Sequence, residues 1–123
     1  MSVKLDLDQL ADALADFAFA YLITVGDDYQ ARTVAVDPVL CDDVLDVGTV
    51  GGGTRRNLTE RGGVTLVWPP HQAGGYTLIV DGTGKLTDTS LLVMPSRAVL
   101  HRPAAPGVST HPGCLHDCVP LES

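Results

Sequence analysis

The hydrophobic period of this chain changes at Phe17, and that change decides what kind of fold it can build. Before it, Leu7, Leu10, Ala11 and Leu14 recur at helical spacing, which predicts an amphipathic helix over Leu5 to Asp16. Asp6 suits its N-cap, Gln9 stands where a capping box needs it, and Leu5 with Leu10 fits a hydrophobic staple. From Phe17 onward the period is two. Phe17, Phe19, Tyr21, Ile23 and Val25 share one side of an extended strand, and Ala18, Ala20, Leu22 and Thr24 share the other.

The rest of the chain keeps this short-strand rhythm. Gly26-Asp27-Asp28 supplies turn chemistry, and Ala31 to Val36 returns as a second strand. Pro38 and Cys41-Asp42-Asp43 make a corner before a short strand from Val44 to Val47. A polar helical stretch from Arg55 to Arg61 follows the glycine run and stops at Gly62-Gly63. Further strands are expected at Val64 to Trp68, Tyr76 to Val80 and Arg97 to His101, with a weaker signal at Leu91 to Val93. Many short strands and two small helices describe a mainly β chain, a barrel with helices at its rim. A doubly wound sheet would need long helices between parallel strands, and no segment has that pattern.

With 123 residues, the chain has room for one core. The expected organisation is one domain over 1–102 and an irregular tail over 103–123, rich in Pro, Gly, Ser and His. At 45% hydrophobic residues, the composition is too apolar for a disordered chain. A formal net charge of -7, with only Arg55-Arg56 as a local basic cluster, argues against nucleic acid and against an anionic membrane surface as partners. No stretch is apolar over the ~18 residues that a membrane helix requires. The acidic start M-S-V-K-L-D-L-D is unlike a secretory signal, and three cysteines do not make a closed disulfide set, so a cytoplasmic location is expected.

The segment with most chemical content is Thr49-Val50-Gly51-Gly52-Gly53-Thr54-Arg55-Arg56-Asn57-Leu58. Its glycines let backbone approach a ligand closely, and Thr54 is placed to cap the helix. Arg55 and Arg56 fall in the first helical turn, where the dipole disfavours a cation by about 0.3–1 kcal/mol. An anion bound between them and the helix start would explain that placement. The other reading is a glycine loop before a solvated helix whose arginines pair with carboxylates elsewhere.

In order and spacing, T-x-G-x-x-x-R-R-N-L, V-T-L-V-W and I-V-D-G-T-G resemble the pyridoxamine 5′-phosphate oxidase-like split-barrel superfamily over Leu5 to Arg102. That superfamily includes the flavin- and deazaflavin-dependent oxidoreductases of actinobacteria. The resemblance implies a six-stranded split β-barrel (the FMN-binding split barrel) with an N-terminal helix and one short rim helix. It also implies a homodimer with FMN, or alternatively F420, in a groove between subunits, and hydride transfer to a small organic substrate. On this pattern the strand carrying Arg32, Thr33 and Val34 lies along the cofactor ring. Thr49, Gly51, Gly52, Gly53, Thr54, Arg55, Arg56 and Asn57 take the phosphate.

Two positions depart from the pattern. Members often carry a Lys three residues before the Asn, which is Thr54 here, and a basic residue two positions earlier, which is Gly52. Arg55, Arg56 and the backbone would then hold the anion alone. The same departure fits an alternative: a non-catalytic flavin- or haem-binding carrier, or a split-barrel dimer that has lost its cofactor. No catalytic triad or carboxylate pair stands out. Arg32 is placed to stabilise charge on a reduced ring or to pair with a carboxylate, and Trp68 and Tyr76 either wall a substrate pocket or pack the core.

The tail sequence His111-Pro112-Gly113-Cys114-Leu115-His116-Asp117-Cys118 groups soft ligands closely, but its spacing matches zinc patterns weakly. No metal site is assigned. Cys114, His116 and Cys118 are the residues that would form one, with a haem ligand or a Cys114–Cys118 redox pair as further readings.

Overall fold

The computed structural model describes residues 2–103, and it shows eight antiparallel strands in one curled sheet. The strands are β1 (Ser2–Leu5), β2 (Ala20–Val25), β3 (Ala31–Val36), β4 (Val39–Cys41), β5 (Val44–Gly48), β6 (Gly63–Trp68), β7 (Thr77–Leu86) and β8 (Leu91–His101). Helix α1 (Leu10–Leu14) follows a single 3-10 turn at Leu7–Gln9, and α2 (Gly52–Glu60) lies between β5 and β6. The sheet runs β3-β2-β6-β7-β8-β5-β4, and β1 pairs with β8. Edge strands β3 and β4 are successive in the chain but do not pair, so the curl stays open along that seam. This is a split barrel.

Alternation decides which side of each strand is core. On β2 the inward set is Ala20, Leu22 and Thr24, all essentially solvent-free, whereas Tyr21 is exposed and Ile23 and Val25 are half-buried. Leu66 and Trp68 of β6, Leu78 and Val80 of β7, Leu91, Val93 and Ala98 of β8, and Leu45 of β5 fill the interior, and Leu10 of α1 plugs it. Each large side chain buried this way contributes about 1.5–3 kcal/mol. Trp68 is therefore core packing and not a pocket wall.

Several expectations are corrected. The N-terminal helix does not run from Leu5 to Asp16. Leu5 instead pairs with Ala98 as the last residue of β1, and the helical part is confined to Leu7–Leu14. The capping signal is nonetheless used, since the Asp6 N–H donates to Gln9 Oε1 at 3.2 Å. Eight strands replace six because β1 and β4 are edge segments of four and three residues, too short to show a period.

The two segments read separately at Leu91 and Arg97 are one strand, β8, with Pro95 inside it. Pro95 lies opposite the register shift at Asp81/Gly82, in the gap between the parts of β8 that pair with β5 and with β1. A residue without an N–H is tolerated at such a break in the ladder. Gly82 is required there, because a Cβ would run into the Met94 carbonyl. Among the described residues no helix is long and apolar enough to cross a membrane.

Candidate functional site

Helix α2 begins at Gly52 with Gly51 as N-cap, three residues earlier than expected, so Thr54 is not the cap. It lies inside the first turn with its side chain buried at 2% exposure. Gly52 and Gly53 are thus helix, and Gly51 is its extended N-cap. Leu58 on the next turn packs against Gly84 of β7, where a Cβ would stand 2.9 Å from Leu58 Cδ2.

Four hydrogen bonds, two on each side, fix the helix and its flanks against the strands and turns. At its start, Thr49 Oγ1 donates to the Thr89 carbonyl (3.1 Å) and the Arg55 guanidinium to the Thr87 carbonyl (2.8 Å), both in the β7–β8 turn. On the opposite flank, Asn57 Nδ2 donates to Thr24 Oγ1 (3.2 Å), and Arg61 Nε donates to the Gly26 carbonyl (3.3 Å). The Arg61 guanidinium also lies 4.8 Å from the centre of the Tyr29 ring. Arg61 therefore joins the end of α2 to the β2–β3 hairpin.

Between that hairpin and α2 lies a cavity of about 330 Å³. The hairpin side contributes Asp28, Gln30, Ala31 and Arg32, and the helix contributes Gly53, Arg56 and Asn57. The register explains Arg32: it pairs with Thr24, and Val34 pairs with Leu22, so both lie on the core-facing side of β3. Thr33 pairs with Ile23 on the outer side. The Arg32 guanidinium then rests directly on Gly53, where any Cβ would overlap it. Gly53 is thus needed for a side-chain contact and not for an unusual backbone angle.

The cavity is electrostatically lopsided. Among the described residues, the one ion pair is Arg97–Asp81 at 3.3 Å, on the outer face of the sheet. Neither Arg32 nor Arg56 has a carboxylate within 4.0 Å among the described residues. Two guanidiniums facing one cavity beside the start of a helix suit an anion. A larger cavity, about 530 Å³, lies between Leu7, Leu40 and Pro95, but Asp8, Asp42 and Asp43 line it and no cation does. A third, about 320 Å³, includes Tyr76 and His71, with the Arg102 guanidinium 4.5 Å over the Tyr76 ring.

Of the residues picked from sequence, Arg32, Gly53, Arg56 and Asn57 meet around one space. Thr49 and Arg55 are directed to the β7–β8 turn, Thr54 is buried, and Gly51 and Gly52 have open space around them. Asp28 and Gln30 were missed. They sit in a hairpin legible only as turn chemistry, and the fold alone brings them to the helix. Cys114, His116 and Cys118, together with the rest of the expected tail beyond Pro103, lie outside the described residues.

The open curled sheet with α2 across its rim is the split-barrel fold. Solved structures agree on the fold. A putative pyridoxamine 5′-phosphate oxidase from Listeria innocua superposes with a TM-score of 0.64 at 12% identity, covering 76% of this chain and 96% of that one. The FAD binding protein from Mycobacterium smegmatis gives 0.60 at 16% identity, covering 81% and 98%. An F420 reductase gives 0.60 at 15% identity, covering 71% and 94%.

In sequence, the chain belongs to the same family as the mycobacterial proteins Mb0449c of Mycobacterium bovis and MT0457 of Mycobacterium tuberculosis. It is 50% identical to each over 133 aligned positions, covering 94% of both partners. No family model matches it.

Proposed function

We propose that this protein is a homodimeric split-barrel oxidoreductase that binds a phosphate-bearing flavin, FMN or alternatively the deazaflavin F420, and passes hydride to a small organic substrate. The observation that carries the reading is the pair of guanidiniums, Arg32 and Arg56, facing one cavity without a carboxylate partner among the described residues. The names of two structural neighbours, an F420 reductase and an FAD binding protein, support a flavin-type ligand.

Bound flavin supplies the hydride chemistry. The chain's residues bind and orient. Arg32 and Arg56 hold the phosphate, and Gly53 makes room for the Arg32 guanidinium. Asn57 and Arg61 hold the hairpin at the distance the ligand needs. Strand β3, an edge strand carrying Thr33 and Val34, has one backbone edge unpaired and available to the polar rim of the ring. Thr49 and Arg55 serve indirectly by anchoring the start of α2.

The outer face of β2, β6 and β7 supports the dimer. Tyr21, Val67 and Ile79 lie side by side in register, and Phe19 meets Tyr21 edge-to-face at 5.2 Å. Apolar and aromatic side chains on an outward sheet face mark a contact surface. A second copy of the chain covering this face would build the groove for the ring.

A non-catalytic flavin carrier is the second reading. Guanidinium, amide and one carboxylate make up the ionisable and polar lining, which serves binding better than proton transfer. The test is the purified protein titrated with FMN and with F420, followed by turnover of the bound, reduced cofactor. Retained flavin absorbing at about 450 nm, or F420 absorbing at about 420 nm, is expected. Failure to bind either cofactor overturns the proposal, and binding without turnover assigns the carrier role.

A further inference from the structure

The end of the barrel where β2 starts and β8 finishes is not sealed. An apolar slot of about 320 Å³ opens there, walled by Ala13, Phe17, Pro70, Tyr76 and Leu100. All five walls are half-buried, and Phe17 and Leu100 also pack against the core. The slot is therefore an uncovered edge of the core, where apolar carbon meets water.

The chain leaves the sheet at this slot. Leu100 is one of its walls, His101 ends β8, and the Arg102 guanidinium lies 4.5 Å over the ring of Tyr76, another wall. The described chain ends at Pro103, and residues 104–123 continue from there. Ala104 to Thr110 carry no charge, which suits an apolar slot, and Val108 is the first branched apolar side chain among them. At about 3.3 Å per residue, Val108 reaches any point within ~20 Å of Arg102. Pro103 and Pro106 each fix φ, which lowers the entropy lost on docking, and Gly107 lets the backbone turn back. A segment tethered this closely also acts at an effective concentration on the order of millimolar, ahead of a second copy or a free ligand.

We propose that residues 104–110 fold back over the end of their own barrel and seat Val108 among Phe17, Tyr76 and Leu100. Docked there, the segment seals the core and closes the slot to other ligands. The proposal is independent of the cofactor reading, because the slot shares no lining residue with the cavity between the hairpin and α2.

The test is proton NMR of the full chain. The Val108 methyl signals, assigned with Val108→Ala, are expected upfield of their random-coil positions, shielded by the Phe17 and Tyr76 rings and showing Overhauser contacts to them. A second readout captures the segment covalently. Cys41→Ser, Cys114→Ser and Cys118→Ser remove the native thiols, and His71→Cys on the slot's rim is paired with Ser109→Cys. In a glutathione redox buffer, a disulfide within one chain is expected to form about tenfold faster than when Val108→Asp is added.

Val108 methyls at random-coil positions, without contacts to Phe17 or Tyr76, overturn the proposal. So does a capture rate that Val108→Asp leaves unchanged. Disulfides that join two chains overturn it in favour of a segment exchanged between copies.

Discussion

Asn57 reaches from the second turn of α2 to the buried hydroxyl of Thr24 on β2, Nδ2 to Oγ1 at 3.2 Å, and this bond sets the width of the cavity between helix and hairpin. Thr24 is 1% exposed, so its hydroxyl has no recourse to water. Asn57→Ala is expected to destabilise the fold by about 1–2 kcal/mol, measured by urea unfolding, and to weaken FMN binding in parallel. Full stability together with weakened binding would instead make Asn57 a direct ligand only.

Arg55 and Arg56 are neighbours in sequence with opposite assignments. The Arg55 guanidinium is spent on the Thr87 carbonyl, whereas Arg56 faces the cavity. Arg55→Ala should lower stability by about 1 kcal/mol with little change in ligand affinity. Arg56→Ala should leave stability within about 0.5 kcal/mol and reduce FMN affinity by about tenfold or more. Paired denaturation and titration experiments on both variants check this, and the reverse pattern would exchange the two roles.

Gly53 allows a test in which propensity and packing pull apart. A helical Gly→Ala change alone stabilises by up to ~1 kcal/mol. Here the added methyl would occupy the space of the Arg32 guanidinium and turn it away. Gly53→Ala is therefore expected to melt no earlier than wild type and yet bind FMN more weakly. Unchanged affinity would mean that Arg32 does not contact the phosphate.

The outer sheet face predicts self-association. Light scattering should give a mass twice the 12.9 kDa of one chain. Tyr21→Glu places a charge on the exposed aromatic patch without touching the core, and should yield folded monomer with reduced flavin binding. A monomeric wild type that binds flavin at full strength would remove the interface from the site.

How much of this could be read from the sequence follows the physics of each element. The alternation read from Phe17 to Val25 identified β2, which begins only at Ala20, because every second residue there meets the core, and Val64 to Trp68 was legible as β6. Strands β1 and β4 were not legible: Ser2–Leu5 and Val39–Cys41 are held by pairing with β8 and β5 and have almost no pattern of their own. Arg56 was singled out by placing the helix start at Arg55, where a cation is electrostatically misplaced; with α2 beginning at Gly52 it lies in the second turn, and the cavity, not the dipole argument, gives it its place. Asp28 could not, since Asp in a turn is ordinary and only the Arg61 and Asn57 ties bring that turn to the helix. Arg55 looked equivalent to Arg56, because nothing in the order of residues reveals that the β7–β8 turn offers it a carbonyl.

The most direct test of the central claim compares FMN with riboflavin, which differs from it only by the phosphate. Both are titrated into wild type and into Arg32→Ala/Arg56→Ala, with fluorescence quenching as the readout. Wild type should bind FMN more tightly than riboflavin by about a hundredfold, and the double variant should bind the two about equally. Equal affinity for FMN and riboflavin in wild type, or a preference for FMN that survives loss of both arginines, would contradict a phosphate site between the β2–β3 hairpin and α2.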